Sequence, residues 1–317
     1  MTVTTASPDG FGVDVNCPVC ASPGRRWAFA NDVEYLTTPN TYEYRVCDCD
    51  VLYLADPPVD QLDVIYPNTY YSYSLNGRGL AELAKSVLDR RMFKSVLRTL
   101  QFPVLRILDV GGGSGYYSDI LNSADSRVSS TTIVDLDPDL RILVEQKGYT
   151  FINSKIQDVN LEQKFHLIIA FNLIEHVSDP TSLLKQFFGL LEPGGALILQ
   201  TPNFKSLDAR LFRNHSWGGL HAPRHWVIFS AGSLAASLEK VGFDSWKIRH
   251  VQGAPFWAVG ILARWSRLRT YQERSLPMYK SRTYKVLLML FGAVDLCRST
   301  LGFKTSQMYV TVRKAPQ

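Results

Sequence analysis

Long apolar runs are missing from this 317-residue sequence. No stretch approaches the roughly 18 to 20 residues that a bilayer-spanning helix needs, which excludes a transmembrane helix. Met1 to Gly12 is polar and lacks the charged start and apolar stretch of a signal peptide, so the expected location is the cytoplasm. Cysteine is scarce, with five in all, and disulfides are not expected in a reducing compartment. Acids are nearly absent from one region: residues 247–317 carry 13 Lys and Arg against only Glu273 and Asp295, a net +11, whereas residues 1–246 carry −6. With 46% hydrophobic and 20% charged residues, the composition excludes a disordered chain. It fits one sizeable α/β domain with additions.

Two phosphate-binding patterns are also absent around the stretch that organises the chain, Arg106-Ile107-Leu108-Asp109-Val110-Gly111-Gly112-Gly113-Ser114-Gly115-Tyr116-Tyr117. A dinucleotide fingerprint beginning at Gly111 and Gly113 would need glycine where Tyr116 stands, and no Gly-Lys-Ser/Thr follows as in a P-loop. What remains is an apolar strand ending in an acid, a glycine turn and a patterned segment that can be helical. Glycine is suited to positive φ or close backbone approach to a ligand. The D-x-G-x-G-x-G spacing from Asp109 to Gly115 resembles motif I of the class I S-adenosylmethionine-dependent methyltransferases. The resemblance implies that Asp109, Gly111, Gly113 and Gly115 form the turn beneath the methionine part of that cofactor.

The segments that follow fit the same resemblance in order. Thr131 to Pro138 reads as a second strand whose terminal Asp135 can accept hydrogen bonds from both ribose hydroxyls, while Asp137-Pro138 suits a helix start. A third strand, Tyr149 to Asn153, leads to Asp158, which the resemblance places on the adenine amino group; a solvated loop acid is the alternative. Phe165 to Val177 is a buried strand followed by Asn172 to His176 at the end where open α/β sheets bind ligands, and Asn172 joins the expected cofactor set. The family's usual Phe-Asp at the strand start is Phe165-His166 here. Leu191 to Leu199 reads as a helix end, a Pro-Gly-Gly turn and a fifth strand. The expected fold is α/β: a Rossmann-like seven-stranded methyltransferase sheet with helices on both faces. It carries a small N-terminal four-cysteine ribbon (residues 1–75) ahead of the methyltransferase domain (76–317), with a helical insertion (251–306) before the last strand.

Cys17-Pro18-Val19-Cys20 has zinc-knuckle spacing, and Cys47 with Cys49 would complete a tetrahedral set of four thiolates around one structural Zn2+. The second pair is one residue tighter than usual, so a degenerate knuckle or free thiols is the alternative. Similar ribbons occur in methyltransferases acting on sugars and other small molecules, followed by an aromatic segment like the one holding Tyr70 and Tyr71. The resemblance implies that these tyrosines cover the cofactor or touch substrate; packing of the ribbon on the core is the alternative.

After the fifth strand, Asn203 lies on the expected substrate side. Trp217 to Ser230 then concentrates His221, Arg224, His225 and two tryptophans. An ordinary imidazole is half-protonated near pH 6.5, so His225 first and His221 second are the expected bases, and Arg224 could clamp an anionic group such as phosphate. A structural loop is the alternative. Residues 251–306 separate two strands of period-two alternation and hold a basic, tryptophan-bearing helical pattern. That suits contact with an anionic membrane surface or a lipid-linked acceptor, or else a lid or dimer interface. The expected function is S-adenosylmethionine-dependent methylation of a small molecule, at a hydroxyl of a sugar, lipid-linked glycan or phenol. Alternatives are C-methylation of a nucleotide sugar, RNA methylation and a non-catalytic cofactor-binding module. The RNA reading is disfavoured because Asn172-Leu173-Ile174-Glu175 does not match Asn/Asp-Pro-Pro-aromatic and no nucleic-acid motif stands in the basic region.

Overall fold

The computed structural model describes residues 15–67, 80–265 and 278–316; Tyr70 and Tyr71 lie outside them. Three strands open the chain, β1 (Arg25–Asn31), β2 (Thr41–Val46) and β3 (Val51–Leu54), followed by helices α1 (Leu62–Ile65) and α2 (Leu80–Leu97). The central unit alternates β4 (Leu105–Val110), α3 (Tyr116–Ala124), β5 (Val128–Asp135), α4 (Arg141–Gln146), β6 (Thr150–Asn153), β7 (Phe165–Phe171), α5 (Pro180–Leu190) and β8 (Leu191–Pro202). Then come α6 (Leu207–Leu211), β9 (Val227–Phe229), α7 (Ala231–Val241), β10 (Ser245–Val251), α8 (Ala254–Trp265), α9 (Arg282–Thr300) and β11 (Gln307–Arg313).

Seven strands form one sheet in the order β10-β11-β8-β7-β4-β5-β6. The five from β6 to β8 are parallel, and β11 and β10 close the edge antiparallel. Strand alternation divides the core between two faces. Leu108, Val110, Ile168, Ala170, Leu197 and Leu199 pack with Leu183, Leu184 and Phe187 of α5 and Leu234 and Leu238 of α7. Ile107, Leu167, Ile169 and Ile198 pack with Phe93, Val96 and Leu97 of α2 and Ile120 and Leu121 of α3. A sheet buried on both faces needs apolar residues at consecutive positions, which is why Ile107-Leu108 of β4 and Leu167 to Phe171 of β7 are unbroken apolar runs. Strand order reverses between β4 and β7, so their carboxyl ends splay connections to opposite sides and leave a crevice.

Three local features differ from the sequence expectation. Leu191 to Gly195 belongs to β8 rather than to a helix end and turn; Gly194 takes φ +80° within the strand. His166 is buried, and its Nδ1 accepts the Arg106 N–H at 2.9 Å, so the unusual residue supplies an acceptor for β4 one position before the β4–β7 ladder begins at Ile107 and Leu167. The ribbon is not closed at residue 75: β9 pairs antiparallel with β3, Val51 opposite Phe229, so the N-terminal sheet takes its fourth strand from the histidine-rich segment.

Candidate active site

The glycine turn leaves β4 with three residues in the left-handed region, Gly111 at φ +71°, Gly113 at +53° and Gly115 at +81°. Gly112, which the spacing did not single out, is required for a different reason. A Cβ there would stand 2.6 Å from the Asp109 carboxyl carbon. Asp109 is buried and accepts the Ser118 hydroxyl at 2.7 Å; burial pushes its pKa up to about 7. It therefore braces the turn against α3 from below.

Asp135 stands at the end of β5 with one oxygen accepting Gly113 N–H at 2.9 Å and the other accepting Asp137 N–H at 3.0 Å. Burial raises its pKa. Asp135 and the glycine turn are thus one hydrogen-bonded unit. Asp137 caps the next turn by accepting Asp139 N–H. Asp158 is exposed in the loop after β6. Asn172 takes φ +49° at the end of β7, and its side chain accepts Gln307 Nε2 at 3.2 Å. The glycine turn, Asp135 and Asn172 all lie at the carboxyl edge of the parallel strands; Asn203 does too, but inside the protein. It is 1% exposed, donates to Thr305 O and accepts Lys205 N–H, which ties β8 to the approach of β11 instead of facing substrate.

Beyond β7 the structure gathers a cluster that no local pattern announces. The rings of His176 and His225 are 4.7 Å apart and those of His225 and His221 5.0 Å. His176 Nδ1 is 3.0 Å from Arg224 O and 2.7 Å from the Tyr66 hydroxyl. His225 Nδ1 donates to Gly219 O at 2.8 Å, leaving Nε2 4.0 Å from Glu175 Oε1. Glu175 is fully buried. One of its oxygens accepts the Thr201 hydroxyl, while Oε1 has no hydrogen-bond partner among the described residues. Burial raises Glu175 to about 8, lowers His176 to about 3 and drives His225 well below the ordinary range, so all three are neutral near pH 7. His221 differs: its Nδ1 lies 2.7 Å from Glu34 Oε1, a carboxylate from the ribbon. Its backbone is left-handed, φ +40°, an uncommon conformation for a residue other than glycine.

Arg224, expected at an anion, is instead fully buried and committed. Its guanidinium meets both oxygens of Asp32 at 3.0 and 3.3 Å, donates to Ile65 O at 2.6 Å and lies 4.6 Å from the Tyr35 ring centroid. Burial alone would raise Asp32, but Arg224 holds its carboxyl below the usual range. The guanidinium thereby locks the ribbon to the histidine segment.

The four ribbon cysteines converge despite the tight second pair. Cys17 and Cys49 sulfurs are 3.7 Å apart, Cys20 and Cys47 3.2 Å, and all four lie within 4.8 Å of one another. A tetrahedral ion with Zn–S bonds of about 2.3 Å separates its sulfurs by roughly 3.8 Å, so the donor set fits zinc. Metal analysis of protein purified without chelator is expected to give about one zinc per chain, and Cys20→Ser to lose it with a lowered Tm. Metal-free wild type with unchanged Tm would reject the site.

The sheet order, the acid-glycine turn and the acid closing the next strand define a class I S-adenosylmethionine-dependent methyltransferase. A protein family described as "Methyltransferase domain" matches residues 84–248 of the 317, and the chain belongs to it. Among curated relatives, the ubiquinone biosynthesis O-methyltransferase of Xanthomonas euvesicatoria pv. vesicatoria is 32% identical over 112 residues, covering 33% of this chain and 46% of the relative. That of Xanthomonas axonopodis pv. citri is 33% identical over 106 residues, covering 31% and 43%. The chain spans about half the length of the curated relatives it matches. Solved structures similar to it include the plantazolicin methyltransferase BpumL with SAH (13% identity, TM-score 0.47, 82% of this chain and 91% of that one). Another is a SAM-dependent methyltransferase of Thermotoga maritima (16%, 0.42, 75% and 96%).

Proposed function

We propose that the protein transfers a methyl group from S-adenosylmethionine to a hydroxyl of a small sugar or phenolic acceptor. The observation that carries this reading is the unit made by Asp135 and the glycine turn, which presents a carboxylate and open backbone where a ribose and a methionine chain would lie. The sulfonium supplies an electrophilic methyl carbon; the chain's own residues must align it with the acceptor, exclude water and take the hydroxyl proton.

For that proton the geometry favours His221 over His225. A base has to hold the charge it gains. An imidazolium at His225 would form beside Arg224 with Glu175 neutral, whereas His221, equally buried, has the Glu34 carboxylate at 2.7 Å to orient its ring and stabilise the cation. The crevice lined by Glu34, Trp217, Leu220 and His221 is too narrow for a water molecule, so acceptor binding must open it. His221→Ala is expected to lower kcat by about 10²–10⁴-fold with S-adenosylhomocysteine affinity unchanged, and Glu34→Gln by less. Turnover of His221→Ala within threefold of wild type would remove it as the base.

Peripheral membrane contact is a second reading, carried by α9. Val286, Met289, Leu290, Leu296 and Leu301 are 48–74% exposed and recur at helical spacing on one side, whereas buried Asp295 points to the other. Exposed Arg282, Lys285 and Lys304 accompany this stripe. No helix among the described residues is long and apolar enough to cross a membrane, so α9 would lie in the interface. Cosedimentation with phosphatidylglycerol vesicles but not phosphatidylcholine, lost in Met289→Glu/Leu290→Glu, is the expected outcome.

A further inference from the structure

The anion site that Arg224 does not provide has a better candidate on the outer side of the ribbon. A groove of about 370 Å3 runs between β1 and the turn and helix that follow β8, lined by Arg25, Trp27, Phe204, Lys205, Arg210 and Arg213. Four cations and two aromatic rings thus face one space. Its volume lies at the lower end of the range for small-ligand sites, about 300–1,000 Å3.

The cations are only partly neutralised. Lys205 pairs with Asp50 at 2.7 Å, an exposed contact, and such pairs hold weakly. Arg213 donates to Trp27 O and lies over the Trp27 ring, 5.3 Å from its centroid. Arg25 and Arg210 are exposed and make no ion pair among the described residues. Among the described residues the groove lining holds no acid, and only Lys205 has an acidic partner, Asp50, so three of the four positive charges stand without one. Clustering like charges around a cavity is unfavourable without an anion, and planar guanidinium forks match phosphate oxygens in pairs. The rings add a second chemistry. Phe204 is 4% exposed and lines the groove, with Lys205 Nζ 5.0 Å from its centroid, while half-buried Trp27, with Arg213 over one face of its ring, lines the wall. Cations for phosphate beside an aromatic surface for a flat ring fit a ligand that carries both.

We infer that this groove binds a nucleoside diphosphate, the phosphates on Arg25, Arg210 and Lys205 and the base against Trp27. Lys205 follows closely on Asn203 at the carboxyl end of β8, and its N–H is held by the Asn203 side chain at 3.1 Å. The groove's Phe204 and Lys205 therefore follow directly on the carboxyl end of β8. A nucleoside diphosphate bound there would be the handle of the acceptor, with the methylated hydroxyl on the group it carries; this last link rests on the methyltransferase reading, whereas binding itself does not.

The test is calorimetric titration of the full chain with UDP, inorganic pyrophosphate and uridine, in wild type and in Arg25→Ala/Arg210→Ala. Both arginines are exposed, so folding is retained, which circular dichroism checks. UDP is expected to bind, pyrophosphate more weakly and uridine more weakly still, with the double variant losing about tenfold or more in UDP affinity and added salt weakening all phosphate binding. Trp27→Ala is expected to bring UDP down to the pyrophosphate level. Three results would each overturn the inference: no UDP binding, UDP affinity unchanged in the double variant, or displacement of UDP by a short single-stranded RNA that binds far more tightly. S-adenosylhomocysteine titrated separately reads the glycine turn, so failure of the groove and failure of the methyltransferase reading remain distinguishable.

Discussion

Asp135→Ala is expected to weaken S-adenosylhomocysteine binding by roughly 10²–10³-fold. In the proposed reading its carboxylate accepts two ribose hydroxyls, and hydrogen bonds to a charged acceptor contribute about 1.5–3 kcal/mol each. The substitution also removes the acceptor for Gly113 N–H, so the glycine turn loses a pin as well as the ligand losing a partner. Because burial raises the Asp135 pKa, the charged acceptor is lost, as pH falls, at a higher pH than for a solvated aspartate. Affinity for S-adenosylhomocysteine should decline accordingly in mild acid, and Asp135→Asn should flatten that decline. Exposed Asp158, by contrast, should cost less than tenfold when changed to alanine. An Asp135→Ala protein binding within threefold of wild type would mean that the ribose lies elsewhere.

Arg224→Met is expected to destabilise the folded protein by about 3–5 kcal/mol, because it strands the Asp32 carboxylate in a site with no exposure. Asp32→Asn/Arg224→Met should recover much of that loss, since no buried charge is then unpaired. Asp32 has a folded pKa below its unfolded value of about 3.9. Its contribution is therefore present above that pH and lost as pH falls through the depressed value, so wild type and Arg224→Met should converge in strong acid. Urea denaturation at pH 7 and at pH 3 measures both effects. A cost below about 1 kcal/mol at pH 7 would show that water reaches Asp32 and that the pair is not the lock described.

What the sequence made legible is what lies close together along it. Asp109 to Gly115 and Asp135 each follow directly on a strand of strong apolar pattern, so spacing alone placed them at one sheet edge, and the order of strands around them follows from the parallel α/β alternation. Gly112 escaped because its constraint is the Asp109 side chain folded back beneath it, which no spacing rule encodes. The acceptor side was less legible. Arg224 and Asp32 are 192 positions apart, His221 and Glu34 187, and which of two histidines and which arginine carries a function depends on partners supplied by a different sheet. The sequence of Trp217 to Ser230 divides roles by residue type; in the structure Arg224 is buried on Asp32 and His221 lies against Glu34. The groove cations were invisible for the same reason, since Arg25 and Arg210 meet only when β9 has brought the ribbon to the domain.

That shared sheet has a consequence for how the chain is made. β3 exposes a row of backbone donors and acceptors until Val227 to Phe229 pair with it, and on a ribosome adding about 5–20 residues per second that partner arrives roughly 10–35 seconds after β3 emerges. During that interval the ribbon is an open strand edge. A zinc ion held by the four thiolates before the rest of the chain appears would keep those strands in register through the wait, well before any substrate is met.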